Sequence, residues 1–495
     1  MRWGAGFCAF AGVVLAGCMV GPDFVHPELP EGAGYLPDSI AQTASAPVQA
    51  GTPQKLANGQ PVLPDWWTLF KSPALNALVA QALANNPNIE AAEATLKSAI
   101  ANARAQEGSL FPSIASGFNA SRNKTPGDIS PTPASNATLY NLYTAQVSVA
   151  YTLDVFGGVR RSIEAQEALA DFQLFQMRAA HLTLAANVAG AAVNEAALRE
   201  QIQATVEIIH VQKEILQTLK LQSDKGQIAG IDVVAQETAL AQSELSLQPL
   251  RKQLAQNQNL LAALLGNFPN NASPQRFRLG NLHLPRRLPL SLPSTLIRQR
   301  PDIMAAEATL HNASANVGVA TANRLPSITL AANYGASSVV FDALTAGSNR
   351  LWSVAGNAAQ VVFDGDALRQ KQKAAEAALE AADASYRGTV LTAFQNVADA
   401  LRAIQYDAVA LAAAAKAENS ARDYLEISRQ KLQLGAANSL VLLSAQQAYQ
   451  QARIALIQAQ AARLSDTIAL CAALGGGWWS NTEAAIGVPA PPKAG

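Results

Sequence analysis

Residues Val159 to Lys225 read VRRSIEAQEALADFQLFQMRAAHLTLAANVAGAAVNEAALREQIQATVEIIHVQKEILQTLKLQSDK, with no proline and a single glycine, Gly190. At 1.5 Å per residue such a run makes a helix on the order of 100 Å long, far beyond the few turns of an ordinary globular helix. Apolar residues recur at three- and four-residue spacing through Phe172, Phe175, Ala179, Leu182, Ala186, Ala189, Val193 and Ala196. That is a coiled-coil seam, and its alanines allow close helix approach. A second run, Asp366 to Leu434, has the same character: no proline, one glycine (Gly388), and a seam from Val390 through Phe394, Val397, Leu401, Ile404, Ala408 and Leu411 to Ala415.

The flanks of the two runs repeat as well. Ala91-Ala92-Glu93-Ala94-Thr95-Leu96 returns as Ala305-Ala306-Glu307-Ala308-Thr309-Leu310. At the same constant offset Asn86-Pro87 matches Arg300-Pro301, and Pro112-Ser113-Ile114 matches Pro326-Ser327-Ile328. The chain is an internal duplication with a period too long for an ordinary solenoid repeat. Glu93 and Glu307 could suggest a carboxylate pair, but their duplication favours a helix-surface or interprotomer contact.

Composition narrows the function. The 495 residues carry 36 basic and 36 acidic side chains, so no charge bias points to nucleic acid or an acidic substrate. Charged residues are 15% of the chain and apolar residues 49%, many of them alanine, as long close-packed helices require. Of three cysteines, Cys8 and Cys18 lie at the N-terminus and Cys471 sits among leucine and alanine, which reads as a small buried hydrophobe. Five scattered histidines, no phosphate-binding glycine loop and no metal-ligand spacing leave no catalytic or cofactor site to defend.

The N-terminus has Arg2, a short apolar stretch Phe7 to Ala16, and small residues before Cys18: a secretory signal over 1–17, too short to span a bilayer stably. Leu15-Ala16-Gly17-Cys18 resembles a bacterial lipobox, which makes Cys18 the lipidated mature N-terminus; Met19 rather than aspartate beside it suggests outer-membrane delivery. Residues 18–72 read as an extended segment rich in Pro, Gly, Ala and Ser. A helix from Pro73 to about Leu110 opens the first repeat, 73–266, and one from Pro293-Ser294 to about Leu325 opens the second, 294–474. A linker, 267–293, separates them, and a loose tail, 475–495, follows.

Each opening helix gives way to strands. Tyr143, Ala145, Val147, Val149, Tyr151 and Leu153 alternate with Thr144, Gln146, Ser148, Ala150 and Thr152. One apolar and one small polar face over about ten residues is the pattern of a transmembrane β-strand beside a watery lumen. The hairpins span 112–156 and 326–363, the second with a poorly alternating return strand, Leu351 to Phe363. Four strands cannot close a membrane barrel, and lipid tolerates no open edge, so the chain must assemble; three copies would supply twelve strands. Long helices over 159–225 and 366–434 follow the hairpins. They end at Gly226 and Gly435, and helices of about half their length return over 233–265 and 441–474.

Several ordered motifs resemble the NodT/OprM group of TolC-like outer-membrane efflux lipoproteins. They are Cys18 with Val20-Gly21-Pro22-Asp23-Phe24, Trp66-Trp67-Thr68-Leu69-Phe70, Leu153-Asp154-Val155-Phe156-Gly157-Gly158 and Arg298-Gln299-Arg300-Pro301-Asp302-Ile303. The resemblance covers essentially the whole chain. It implies a mainly α fold with a small β part: a trimer with a coiled-coil α-barrel and a shared transmembrane β-barrel, four strands from each chain. It also implies a passive exit duct, with no chemistry and no cofactor beyond the lipid on Cys18. The implied partners are outer-membrane lipid, a periplasmic adaptor (membrane fusion protein) and an inner-membrane transporter of RND or similar type. The alternatives are a type I protein-secretion outlet, and a non-conducting periplasm-spanning structural protein. By the same resemblance the pore constriction falls at Leu440, Ser444 and Gln447. There the family commonly has leucine, aspartate and arginine, so this chain keeps the leucine and loses both charges. Asp232 is the remaining acidic candidate, with a helix N-cap as its other reading. Gly226, Gly230, Gly435 and Asn438 mark the tips that would meet the adaptor.

Overall fold

The computed structural model describes residues 19–28, 34–38, 40–126, 139–271 and 275–478. In chain order the elements are β1 (Lys55–Asn58), α1 (Pro73–Asn85), α2 (Pro87–Glu107), β2 (Ser113–Lys124), β3 (Leu139–Leu153), α3 (Gly158–Asp224), α4 (Gly230–Leu264), β4 (Arg287–Leu290), α5 (Pro301–Ala322), β5 (Ser327–Ser338), β6 (Arg350–Ala359), α6 (Ala367–Gln433) and α7 (Ser439–Ala473). The two rods, α3 and α6, are 67 residues each, and the two returning helices, α4 and α7, are 35 each. Among the described residues, no helix is long and apolar enough to cross a membrane.

The chain forms two compact units, and each draws on both sequence repeats. The first takes in residues up to Pro27, Thr95–Gln173 and Ala305–Arg387. Its centre is an antiparallel sheet in the order β2-β3-β5-β6. The hairpins of the two repeats join along β3 and β5, with Val147 opposite Tyr334 and Tyr151 opposite Leu330. β2 and β6 are left as edges. Ile114, Phe118, Trp352 and Val354 on those edge strands are all exposed in the single chain, as residues that meet lipid or another subunit would be. The return strand β6 stops at Ala359 rather than reaching Phe363. Val361, Val362 and Phe363 lie outside it and are exposed.

Both strand-to-helix hand-offs are capped by an aspartate. Asp154 accepts from the backbone N–H groups of Val159 and Arg160 (2.9 and 3.0 Å), and Asp364 from that of Leu368 (2.8 Å). These carboxylates satisfy first-turn donors that a helix cannot bond itself, and they complement its dipole.

The second unit comprises Glu28–Ala94, Leu174–Met304 and Gly388 onward. Its core packs Trp66, Phe70, Leu75, Leu78 and Val79 with the alanine-rich stretch of α3. Ala189, Ala192 and Ala196 are fully buried there, so added methylenes would overpack the contact. On α6 the seam expected from the sequence is buried from Val397 to Ala415, whereas Val390 and Phe394 are only half-buried. Cys471 is buried, which pushes its thiol up to about 12 and leaves it inert.

Three local expectations are corrected. The opening helix of the first repeat is broken at Asn86, because Pro87 forces the residue before it into extended backbone (ψ 121°). The second opening helix is broken likewise: Pro293–Leu296 forms one turn, and α5 starts at Pro301. Segments read as irregular, 18–72 and 267–293, pair with each other, since β1 and β4 form a parallel two-stranded ladder from Lys55–Arg287 to Asn58–Leu290.

The duplication reappears in the polar contacts. Asn86 donates from Nδ2 to the Leu264 carbonyl (2.8 Å), and its counterpart Arg300 donates from Nη1 to the Ala473 carbonyl (2.8 Å). In each repeat the residue before the helix-breaking proline thus caps the C-terminus of the returning helix. The first junction is tight: a Cβ on Gly266, whose φ is +72°, would collide with the Asn85 carbonyl. Only glycine fits there.

One pair of acids in this unit gives a pH prediction. Burial first, then a hydrogen bond and repulsion from Asp407, push the Asp466 carboxyl up to about 7. Its folded value lies above its unfolded one, so between pH 4 and pH 7 the folded chain holds more protons and stability falls as pH rises. Asp466→Asn is therefore expected to melt higher than the parent at pH 8, with the gap closing towards pH 4. Thermal melts across that range check it.

Candidate functional site: the helical tips and the N-terminal strap

The tips are built by backbone chemistry. At the end of α3, the N–H of Gly226 reaches the Ser223 carbonyl (2.8 Å) and that of Gln227 reaches Gln222 (2.9 Å). At the end of α6, Gly435 and Ala436 bond to Leu432 and Lys431 in the same way (3.1 and 2.8 Å). This paired pattern closes a helix through a left-handed residue, and φ is +68° at Gly226 and +71° at Gly435. The second tip restarts with Asn438 as N-cap, its Oδ1 accepting from the Val441 N–H (3.1 Å). The first restarts with Ala229, which offers no side-chain cap. Asp232 is thus in the first turn of α4 and is not its N-cap. Its carboxylate accepts from the Ser439 hydroxyl and ties one tip to the other.

Leu440, Ser444 and Gln447 follow at i, i+4 and i+7 in the first turns of α7, so they share one face, and all three are exposed in the single chain. Gly226, Gly230, Gly435 and Asn438 are exposed too, and nothing lies within 4 Å of a Cβ built on any of the three glycines. Around them Leu221, Ile231, Val234, Leu434 and Leu440 are more than half exposed. Apolar side chains are thus concentrated and exposed at both turns.

Cys18 lies outside the described residues; the segment that follows it is pinned by a set of polar and ring contacts. The Val20 N–H donates to the Phe156 carbonyl (3.2 Å), and Gly21 packs on Gly318. Arg161, near the start of α3 and only 2% exposed, holds this segment. Its Nη2 reaches Asp23 (2.6 Å), its Nε the Val20 carbonyl (3.2 Å) and its Nη1 Glu164 (2.8 Å). Phe24 stacks on His311 (4.3 Å between centroids), and His311 in turn meets Glu164 (2.9 Å). Of the duplicated glutamates, Glu307 bonds His26 of the same strap; burial lowers the pKa of the half-buried His181, and the charge of Glu93 acts to raise it. The Glu307 contact lies within the chain. Sequence reasoning picked out Gly21, Asp23 and Phe24 by resemblance but missed Arg161, His311 and Ser439. A basic residue in a helix reads as surface until the segment it binds is known.

A four-stranded meander with two open edges, feeding two 67-residue helices, defines a class: the subunit of an outer-membrane channel with a helical extension. The chain belongs to the outer membrane efflux protein family, whose model matches residues 78–267 and 292–476. It is 30% identical over 485 residues to the toluene efflux pump outer membrane protein TtgC of Pseudomonas putida, covering 96% of each chain. Among solved structures it is similar to the outer-membrane channel OprN, with a TM-score of 0.82 at 27% identity over 93% of this chain and 100% of that one. It is also similar to the open state of the Neisseria gonorrhoeae MtrE outer membrane channel, with a TM-score of 0.78 at 25% identity over 93% and 98% of the chains.

Proposed function

We propose that three copies of this chain assemble into a passive exit duct for small molecules, the outer-membrane part of a tripartite efflux pump. The observation that carries this reading is the pair of open edges, β2 and β6, on a sheet of membrane-strand pattern. Neither edge can be left bare in lipid. Edge-to-edge pairing of three four-stranded sheets gives a closed twelve-stranded barrel and leaves no free strand. The exposed apolar tips around Ile231 and Leu434 are the surface for a periplasmic adaptor, which in turn couples the duct to an inner-membrane transporter of RND or similar type. A relative named for toluene efflux favours small-molecule over protein cargo. Cys18 carries the lipid anchor.

The full-length protein purified in detergent tests the reading. Native mass spectrometry is expected to give a trimer lacking residues 1–17 with acyl mass on Cys18, and the same preparation is expected to conduct in planar bilayers. A monomer or dimer alone would defeat the assembly. A trimer that never conducts, with or without adaptor, would make the protein a structural tether.

A further inference from the structure

A cleft of about 200 Å³ lies among α3, α6 and α7, within the second compact unit. Ala204, Ile208, Val211 and Leu425 make its apolar walls, and Gln212 and Gln446 line it with Tyr449 and Arg453. Gln212 is 1% exposed and Gln446 3%. The Oε1 of Gln212, and both Oε1 and Nε2 of Gln446, have no protein hydrogen-bond partner. Nor has Oε1 of Glu418, itself 2% exposed and 3.9 Å from the Arg453 guanidinium.

Contacts between α3 and its own returning helix are of another kind. Lys213 pairs with Glu244 (2.8 Å), Lys220 with Glu237 (2.7 Å) and Asn194 with Asn257 (3.1 Å), while Gln236 donates to the Gln212 carbonyl (3.3 Å). The α3–α4 pair is therefore zipped directly. At the cleft, Glu418 is held by Arg422 on its own helix and lies within ion-pair distance of Arg453, whereas the carboxamides of Gln212 on α3 and Gln446 on α7 are not bonded to each other.

We infer that this cleft is a water-binding site, in which ordered waters bridge Gln212 to Gln446 and form a seam along which α7 can part from α3. Buried carboxamides without protein partners take water where the site is polar and roomy, and a water needs only about 10–15 Å³ by this measure. Water bridges are nearly as favourable as direct hydrogen bonds and are readily exchanged for bulk solvent. The face bearing Leu440 lies on α7, so widening the duct requires α7 to move. A water-bridged seam opens at little cost, whereas a dry one separates apolar surface. The role as a seam rests on the duct reading; the hydration does not.

Two measurements on the full-length trimer test this. The first is a density map that resolves water. Waters bonded to Gln212 and Gln446 are expected; a dry cleft, or the two carboxamides bonded directly, would overturn the site. The second is Gln212→Leu/Gln446→Leu, with Gln446→Leu alone as a milder variant. Each is expected to raise the melting temperature and lower the open probability in bilayers, by about tenfold for the pair, the effect of ~1.4 kcal/mol of added closed-state stability. Waters present with unchanged gating in a conducting channel would overturn the seam. A parent channel that does not conduct would defeat the duct reading and leave the map to decide on hydration.

Discussion

Arg161→Ala is expected to detach the strap of residues 19–26, and to lower the stability of the first unit by about 3 kcal/mol. A guanidinium 2% exposed is sustained only by its partners, and here four of them converge: Asp23, Glu164 and the carbonyls of Val20 and Gly21. Removing it leaves two carbonyls without a donor and Glu164 with His311 as its one remaining partner, and opens a cavity under Gly318. Most of the loss resides in Glu164 and the backbone groups, because the side chain of Asp23 is 89% exposed and its charge is screened. Asp23→Ala is therefore expected to cost under about 1 kcal/mol. Arg161→Lys should recover little, since an ammonium cannot direct donors to both sides of the strap at once. Limited proteolysis between Met19 and His26 reads the strap, and a denaturant melt reads the stability. If Arg161→Ala leaves the strap protected and the midpoint unchanged, Arg161 does not anchor it.

What the sequence made legible, and what it hid, divide along a physical line. The long rods could be read because helix continuity is a local property: no proline, one glycine, and a seam repeating every three or four residues. The tip glycines were equally legible, since a left-handed closing residue is a local requirement that Gly226 and Gly435 meet. Asn86 and Arg300 were visible as a repeat, but their shared role was not, because it depends on where the returning helices end. Pairing of Lys55 with Arg287 left no local trace; a four-residue parallel ladder between distant loops has no periodicity to detect. Asp232 shows the same limit. Local chemistry allowed an N-cap or a free acid, and only the fold brings Ser439 to it.

That contact sharpens the expectation for the gate. Leu440, Ser444 and Gln447 share an exposed face of α7, and in the proposed trimer three copies of a neutral serine would set up no like-charge repulsion across the threefold axis. Closure should then depend on apolar packing at Leu440. Leu440→Ala is expected to raise the open probability on the order of tenfold, because loss of ~1.4 kcal/mol from the closed state is enough, and truncating a leucine that packs against its copies in the proposed trimer costs at least that. In cells the same variant should leak antibiotic inward without any pump. Ser444→Asp should leave assembly intact and shift the pore towards cations, as a ring of acidic side chains does in other channels. Asp232→Ala removes only a hydrogen bond between tips, worth about 1.5–3 kcal/mol for a carboxylate acceptor. Its effect should be matched by Ser439→Ala, since both break the same bond. Bilayer recordings of the four variants decide the matter. If Leu440→Ala conducts as the parent does while Asp232→Ala opens the pore and Ser439→Ala does not, the gate is the Asp232 charge at the first tip.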